Sequence, residues 1–291
     1  MTISVGIFNG KGGVTKSTIA RALAVAYAKA GWNVCLIDMD VLNGTVTRWV
    51  QRRMANNIEP AIAAQPCGTP SQVQKIIESE VYDLVIVDGG AYASESVPKL
   101  SEFLDMVILP TRFSTDDLET TVNTAHGIVK KGVPIKKICM VFSGAAENEA
   151  DYIEAQEYLA NTPYFVVDKY IPHKPALSKA QDKGLSLIEC SYVAPRKKAD
   201  DVIQGIINQL EALIYNYSFI DLYKRGYTWP HHQNHQRRTA KAYRHRSNNR
   251  RFSTRLKRQP EPNQVGHKWR LTSTLNLNAS TKRSPAQWIC H

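Results

Sequence analysis

The stretch that decides the fold lies at the start of the chain, where residues 3–18 read ISVGIFNGKGGVTKST. Residues 3–8 are a continuous apolar run of strand length, and residues 9–16 contain three glycines. From Ser17 to Ala30 the apolar residues recur with helical spacing. A strand, a glycine-rich loop and a helix in this order are the structural context of a phosphate-binding loop.

The residue types in this loop suit phosphate chemistry. Glycines lack Cβ atoms, so successive backbone N–H groups can converge on phosphate oxygens, and the helix N-terminus adds partial positive charge. Lys16 is expected to neutralise the β and γ phosphates, and the Ser17 hydroxyl to ligate Mg²⁺. Thr18 is expected to support the helix or to contact the α phosphate. We predict nucleotide contacts from the whole loop: Gly10, Lys11, Gly12, Gly13, Val14, Thr15, Lys16, Ser17 and Thr18.

Apolar segments of strand length alternate with helical segments up to about residue 215. This alternation predicts an α/β fold, in which a mostly parallel sheet carries helices on both faces. The predicted strands are residues 3–8, 33–37, 84–87, 106–109, 138–142 and 164–167. The predicted helices are residues 17–30, 71–80, 116–130, 151–159 and 200–215, the last with a stripe of Ile203, Ile206, Ile207, Leu210, Leu213 and Ile214.

The charge of the chain is unevenly distributed. The 291 residues contain 37 Lys and Arg against 26 Asp and Glu, a net charge of +11. Residues 217–291 hold 16 of these basic residues and only two acids, Asp221 and Glu261, so the rest of the chain is slightly acidic. Apolar periodicity also stops after Tyr217. We therefore predict an α/β domain over residues 1–216 and a basic, disordered tail over residues 217–291.

Composition excludes several classes of protein. No apolar run reaches the length of a membrane span, and Met1 is not followed by the basic segment of a secretory signal. The five cysteines (Cys35, Cys67, Cys139, Cys190 and Cys290) form no CxxC pair, and we interpret them as buried thiols rather than metal ligands or disulfides. We expect a cytoplasmic protein.

Residues 9–18, NGKGGVTKST, resemble the deviant Walker A motif, KGGxxK[ST], of the ParA/MinD family of P-loop ATPases. The feature that distinguishes this motif from other phosphate loops is the earlier lysine, Lys11. The resemblance implies that Lys11 reaches across a homodimer interface to the partner's nucleotide. Two chains would then enclose two ATP molecules, and the nucleotide state would control dimerisation.

Two later segments resemble other elements of the same family. Residues 34–40, VCLIDMD, resemble its first switch, which implies that Asp38 holds a water on Mg²⁺ and that Asp40 orients or activates the attacking water. Residues 82–88, YDLVIVD, resemble its Walker B strand, which implies that Asp88 acts on Mg²⁺ through a bound ligand. The resemblance thus assigns catalysis to Lys11, Lys16 and Asp40, metal binding to Ser17, Asp38 and Asp88, and ATP with Mg²⁺ as cofactors.

The chain departs from the family pattern at three places. Thr15 stands where many members have glycine, residues 41–44 (VLNG) replace Pro-Gln-Gly, and Gly89-Gly90 replaces Thr-Pro. These departures bear on the switch geometry and on the rate of hydrolysis more than on nucleotide binding. Farther along, residues 107–111 and 171–186 resemble later strand ends and the base-contacting segment. We expect slow intrinsic hydrolysis.

Family members differ in what the ATP-bound dimer holds. Arg196, Lys197 and Lys198 fall near the DNA-contacting residues of partition ATPases, and Lys174, Lys179 and Lys183 extend this basic patch. We therefore expect a partition ATPase that binds DNA nonspecifically. Because the predicted domain begins at its first strand, sequence recognition would come from a separate centromere-binding adaptor. The expected location is the nucleoid of a bacterium, with the gene on a plasmid or a chromosome.

Two alternatives remain open at this point. A MinD-like positioning ATPase would bind membrane, and residues 219–225 (FIDLYKR) give a short version of a basic amphipathic helix. A nonhydrolysing accessory protein of plasmid maintenance or conjugation would use nucleotide only as a structural switch. The iron–sulfur relatives of nitrogenase reductase are disfavoured, because residues 89–97 and 111–120 contain no cysteine.

Overall fold

The computed structural model describes residues 1–11, 13, 15–90 and 96–225, with side chains described as far as residue 214. In this part of the chain seven strands form one sheet in the order β3-β2-β4-β1-β5-β6-β7, and every neighbouring pair is parallel. The predicted parallel sheet is therefore confirmed. The strands are β1 Ile3–Ile7, β2 Val34–Asp38, β3 Ala63–Pro66, β4 Leu84–Asp88, β5 Met106–Thr111, β6 Ile138–Ala145 and β7 Phe165–Pro172.

Helices cover both faces of the sheet, as predicted. They are α1 Lys16–Lys29, α2 Thr45–Ala55, α3 Pro70–Glu78, α4 Val97–Phe103, α5 Thr115–Lys130, α6 Glu149–Ala160, α7 Pro175–Asp182 and α8 Val193–Arg225. One hydrophobic core lies under α1, α2, α7 and α8, and a second core on the opposite face lies under α3, α4, α5 and α6. Strands β1, β2 and β4 are buried along their whole length because they lie between the two cores.

The apolar stripe of α8 closes the first core, as predicted. Ile203 and Ile206 are fully buried, and Leu213 is the most exposed of the buried stripe residues at 5%. Burying a side chain of this size stabilises the fold by roughly 1.5–3 kcal/mol. The stripe therefore anchors the last helix firmly to the sheet.

The structure corrects several of the predicted boundaries. Helix α8 begins at Val193 instead of residue 200, and its backbone continues past the predicted end at residue 215 to Arg225. The amphipathic segment over residues 219–225 is thus part of the α8 backbone. The rest of the predicted disordered tail, residues 226–291, lies outside the described residues. Patterns in the sequence also missed β3, α2, α4 and α7.

Physical reasons account for two of the missed elements. Strand β3 is a short edge strand with two exposed and two partly buried residues, so it lacks the apolar run of a central strand. Helix α2 follows Gly44, a residue with φ of 54° and no capping side chain. The usual signal for a helix start, a capping residue next to the helix, is therefore missing from the sequence.

The described part of the chain has no helix that is both long enough and apolar enough to cross a membrane. Cys35, Cys67, Cys139 and Cys190 are buried, as predicted, while Cys290 lies outside the described residues. Burial raises the pKa of the Cys35 thiol to about 12. This thiol is therefore unreactive at neutral pH.

Candidate nucleotide site and basic face

The site lies at the carboxyl edge of the sheet, where three neighbouring strands end together. Asp38 at the end of β2 and Ile7 at the end of β1 both lie opposite Asp88 at the end of β4. The glycine-rich loop leaves β1 directly after this point and leads into α1. The structure thus brings together the loop, Asp38 and Asp88, as the sequence predicts.

Asn9 fixes the start of the loop. Its Nδ2 donates to the Pro110 carbonyl at 2.6 Å and to Thr121 Oγ1 at 3.1 Å, while its Oδ1 accepts from the Lys11 amide at 2.8 Å. The loop is therefore tied to the end of β5 and to α5. Asn9 is not among the predicted site residues, and two that are, Gly12 and Val14, lie outside the described residues.

Lys16 lies curled over the loop, with its ammonium 3.3 Å from the Asn9 carbonyl and 3.4 Å from the Lys11 carbonyl. Burial lowers the pKa of Lys16, and the carboxylates of Asp88 and Asp40 oppose that shift. Two long hydrogen bonds to neutral carbonyls compensate a buried cation poorly. An anion beside the loop would be a much better partner, so the position suits the predicted phosphate contact.

Asp88 fits the predicted role in holding a cation. Its carboxyl is buried, and its Oδ1 atom has no hydrogen-bond partner. The pKa of Asp88 is raised to about 7, mainly by burial and also by the nearby charge of Asp38, while a hydrogen bond with Ser17 and the cations Arg21 and Lys16 oppose the shift. A buried, unpartnered carboxylate oxygen beside a serine hydroxyl is the hard-oxygen donor set that Mg²⁺ prefers.

Asp38, by contrast, is committed to the fold in this structure. Its Oδ2 accepts from the amides of Val46 and Thr47 at 2.9 and 3.0 Å and from the Thr47 hydroxyl at 3.1 Å. Its Oδ1 accepts from the Asp40 amide at 3.1 Å. Asp38 therefore caps the N-terminus of α2 from the end of the preceding strand, in place of the missing side chain of Gly44.

Asp40 is held by a residue from the divergent segment 41–44. Both of its oxygens accept from Asn43 Nδ2, at 3.0 and 2.9 Å, and Oδ1 also accepts from the Asn43 amide at 3.2 Å. Leu42, beside this pair, is 99% exposed. Asn43 therefore orients the carboxylate that is predicted to act on the attacking water, a role that no pattern in the sequence indicates.

Lys11 forms an ion pair within its own chain. Its ammonium lies 2.5 Å from Oδ1 of Asp117, which is buried near the start of α5, whereas the Lys11 side chain is 43% exposed. Burial would raise the pKa of Asp117, but hydrogen bonds from Lys11 and Ser114 outweigh it and hold this pKa below its ordinary value. The lysine that is predicted to act in a partner subunit is thus paired within its own chain in this structure. Asp117 is a site residue that the sequence analysis did not predict.

The structure gives local reasons for two departures from the family pattern, Gly89 and Thr15. A Cβ on Gly89 would collide with the Phe8 ring and lie 3.0 Å from the Ile7 carbonyl, so only glycine fits there. Thr15 has φ of 63°, a left-handed conformation that costs a non-glycine residue roughly 1–2 kcal/mol. Its hydroxyl donates to Ser143, which holds the residue in this conformation.

A cleft of about 180 Å³ adjoins the loop. The predicted base-contacting segment contributes Pro172, Lys174 and Gln181 to its wall, and the loop contributes Thr15 and Thr18. The segment therefore lies beside the phosphate loop, where a base-contacting segment is expected.

Two of the predicted DNA-binding lysines meet on one carboxylate. Lys198 Nζ lies 2.6 Å from Glu147 Oε1, and Lys174 Nζ forms an ion pair with Glu147 Oε2. The Lys198 ammonium also lies 5.2 Å from the centre of the Tyr170 ring. The structure thus joins the segment before α7 to the start of α8, as a single basic patch requires.

The other predicted members of the patch are less closely connected. Lys179, Lys183 and Lys197 are exposed, and they form no ion pair within the described ranges. Arg196 donates to the Cys190 carbonyl at 3.3 Å. Of the predicted patch, only Lys174 and Lys198 share an ion-pair partner among the side chains described.

Buried side chains of α1 and α2 tie α2 to α7 and to the segment after it. Arg21 on α1 donates to Gln181 Oε1 and to the Thr45 carbonyl, each at 2.8 Å. Trp49 donates to the Leu185 carbonyl at 3.0 Å, and Arg53 forms a bidentate pair with Glu189 at 2.8 and 2.9 Å. These bonds connect α2, which Asp38 caps, to α7 and to residues 185–189.

The sheet order, the loop after β1 and the acids at the neighbouring strand ends together define a P-loop α/β nucleotide-binding protein. Residues 5–188 match the family model described as the CobQ/CobB/MinD/ParA nucleotide binding domain. The chain belongs to this family, and within it is an ATPase of the ParA/MinD type, as its motifs predict.

Individual relatives agree with this assignment. Maintenance of carboxysome distribution protein A from Gloeobacter kilaueensis is 29% identical over 187 residues, which cover 64% of this chain and 83% of that protein. The structure of the septum site-determining protein MinD with Mg-ADP from Pyrococcus horikoshii OT3 aligns with a TM-score of 0.56 at 16% identity, over 71% of this chain and 96% of that one.

A third similar structure is a candidate plasmid partition protein from Borrelia burgdorferi B31 bound to AMPPNP. It aligns with a TM-score of 0.55 at 15% identity and covers 74% of this chain and 99% of that one. At these identities the two structures establish the fold alone. The predicted cofactors, ATP and Mg²⁺, agree at the level of the family with the ligands named for them.

Proposed function

We propose that this protein is a DNA partition ATPase whose ATP-bound homodimer binds DNA nonspecifically. The proposal rests on the position of Lys174 and Lys198, which share one ion-pair partner next to the exposed Lys197. Lys174 also lines the cleft next to the phosphate loop. A basic face that shares a residue with the nucleotide cleft is suited to phosphate-backbone binding under nucleotide control.

The nucleotide chemistry rests on few side chains. Lys16 neutralises the transferred phosphate, Ser17 provides a hydroxyl ligand for magnesium, and Asp88 provides the buried negative charge beside it. Magnesium, when bound, neutralises the charge on the phosphate oxygens. Lys11 would leave Asp117 to reach the partner's nucleotide, and Asp40 would orient the attacking water while Asn43 holds its carboxylate.

Slow hydrolysis is expected from the present contacts of these groups. Asp40 accepts three hydrogen bonds from Asn43, and Asp38 accepts the N-terminal amides of α2. Both carboxylates must give up intrachain partners before they act on water or magnesium. A partner protein that favours the released arrangement would therefore stimulate hydrolysis and reset the dimer.

The same proposal covers the partner and the location. Contacts to the phosphate backbone carry no sequence information, so a separate centromere-binding adaptor would select the site and stimulate hydrolysis. The protein would then act in the bacterial cytoplasm on the nucleoid, for a plasmid or a chromosome.

The test is DNA binding by the full chain in two nucleotide states. We expect Mg-ATP to strengthen binding to a labelled duplex over Mg-ADP by about 10-fold, within the usual range of coupling between sites. Lys11→Ala should abolish this difference, whereas Lys75→Ala, which removes an equal charge from exposed α3, should preserve it.

Two results would contradict the proposal. Equal DNA affinity in both nucleotide states would exclude the switch. ATP-dependent cosedimentation with anionic liposomes, without DNA binding, would favour the MinD-like alternative, to which the α8 backbone over residues 219–225 is relevant.

A further inference from the structure

Glu147 lies in the short connection between β6, which ends at Ala145, and α6, which begins at Glu149. Its two carboxylate oxygens hold two lysines from different elements, Lys174 before α7 and Lys198 near the start of α8. One acidic side chain thus occupies both cations that the proposed DNA-binding face brings together. No sequence pattern indicates this arrangement, because the three residues are far apart along the chain.

The exposure of the three side chains shows that this cluster is not part of the core. Glu147 is 34% exposed, and Lys174 and Lys198 are 41% and 46% exposed. Ion pairs at this exposure contribute little to the stability of a fold, because water and salt screen them. The cluster is therefore accessible to a competing anion, and breaking it should leave the protein folded.

The chemistry of the competing anion can be stated. A carboxylate that offers one oxygen to each of two ammonium groups provides the same contacts as two non-bridging oxygens of a phosphodiester. Lys198 has a second favourable contact, since its ammonium faces the ring of Tyr170 as well as Glu147. Glu147 thus keeps Lys174 and Lys198 close together while its negative charge partly neutralises theirs.

We infer that Glu147 is an intramolecular competitor for the DNA backbone: it occupies Lys174 and Lys198 until phosphate oxygens displace it, and it thereby weakens nonspecific binding. This inference rests on the proposed function and specifies how its DNA-binding face is regulated. Weak basal affinity would keep the protein mobile on DNA, and it would make occupancy depend on the nucleotide-dependent dimer.

Neighbouring acids do not share this arrangement. Asp168 on β7 pairs with Lys169, and Glu149 at the start of α6 forms no ion pair with either lysine among the side chains described. Glu154 on α6 is exposed and equally forms no ion pair with the two lysines in the described structure. Glu154→Gln is therefore a control that changes the net charge by the same amount as Glu147→Gln.

The experiment measures binding of the full chain with Mg-ATP to a labelled DNA duplex over a series of salt concentrations. Glu147→Gln should tighten binding at low salt by about 3- to 10-fold and steepen the slope of log K against log salt by about one, because no released carboxylate takes up a counterion. Glu154→Gln should change the affinity by less than about twofold. Adding Lys174→Ala and Lys198→Ala to Glu147→Gln should remove the gain.

The outcomes separate this inference from the proposed function. If the wild-type protein binds DNA but Glu147→Gln does not tighten binding, or if Glu154→Gln tightens it equally, the role of Glu147 is overturned and the proposed function stands. If the wild-type protein binds no DNA in either nucleotide state, the proposed function fails and this inference fails with it. A circular dichroism spectrum of each variant confirms that the fold is intact.

Discussion

Strands β2 and β4 lie side by side and end in the same residue at the same register position, yet their two carboxylates have opposite environments. Asp38 accepts four hydrogen bonds, three of them from the first turn of α2. Asp88 is also buried, but one of its oxygens has no partner, and its pKa is raised to about 7 mainly by burial. The difference arises from the residues that come directly after each strand.

The comparison separates a carboxylate that builds the fold from one that is kept for a ligand. After β2 the chain turns directly into α2, whose N-terminal amides need an acceptor that Gly44 does not supply. After β4 the chain continues with Gly89 and Gly90, which bring no side-chain donor to Asp88. A cation therefore finds a ready partner in Asp88, whereas Asp38 must first release α2.

The largest effect should come from Asp38→Ala. Its loss leaves two helix N-terminal amides and a threonine hydroxyl without their buried acceptor, and hydrogen bonds to a charged group contribute about 1.5–3 kcal/mol each. We expect the free energy of unfolding to fall by about 3 kcal/mol without nucleotide, as measured by urea denaturation. Asp38→Asn, which keeps one acceptor oxygen, should lose less, and a loss below about 1 kcal/mol for Asp38→Ala would show that α2 does not depend on this carboxylate.

Asp88→Asn should change the free energy of unfolding in the opposite direction, so that the variant is more stable than the wild type. A carboxyl with a raised pKa binds its proton in the folded state at a pH where the unfolded chain has lost it, so the wild-type protein loses stability as pH rises from about 4 to about 7. The variant lacks this loss. The rise of the Asp88 pKa from 3.8 to about 7 corresponds to roughly 4 kcal/mol, and part of this is offset because the amide that replaces the carboxyl is itself a buried polar group. In EDTA at about pH 8 we therefore expect the variant to be more stable than the wild type by on the order of 2 kcal/mol, and the gain should vanish near about pH 4.

Chemical denaturation across this pH range checks the prediction. Asp200 also has a pKa raised to about 7, but it titrates in both proteins and cancels in the difference. Glu154→Gln, at an exposed position on α6, serves as the matched charge control. A pH-independent difference between Asp88→Asn and the wild type would show that Asp88 does not carry the buried charge.

The smallest effect concerns the amides that Asp38 caps. If Mg-ATP draws the Asp38 carboxylate towards a magnesium-bound water, the amides of Val46 and Thr47 lose their acceptor and should exchange with deuterium a few-fold faster. Amides in β4 should not change, because Asp88 holds no helix. Slower exchange at Val46 and Thr47 with Mg-ATP would mean that Asp38 keeps its structural role throughout.

The comparison of Asp38 with Asp88 also shows which features can be predicted from the sequence and which cannot. The sequence places Asp38 and Asp88 at the ends of two strands because each ends a continuous apolar run, and such runs are local patterns. It does not predict helix α2, because the cap of this helix comes from Asp38, seven residues before its first residue and on another element. A pattern that is read along the chain does not contain this contact.

The missed site residues have a similar cause. Asn43, Asp117 and Glu147 each act by holding a charged group, and two of them hold groups that are distant in sequence. Asn43 belongs to the segment that departs from the family pattern, so the resemblance to the family does not indicate a role for it. The glycine-rich loop, by contrast, is contiguous, and its lysines and serine can be identified from their order alone.

The phosphate loop and Asp88 should act as one magnesium-nucleotide site, and every step proposed for the nucleotide depends on this. The decisive measurement is a titration of the full chain with a fluorescent ATP analogue, once with Mg²⁺ and once with EDTA. We expect Mg²⁺ to tighten binding to the wild-type protein by about 10-fold or more, and Asp88→Asn to bind equally with and without Mg²⁺. An undiminished magnesium effect in Asp88→Asn would show that the metal is held without this carboxylate.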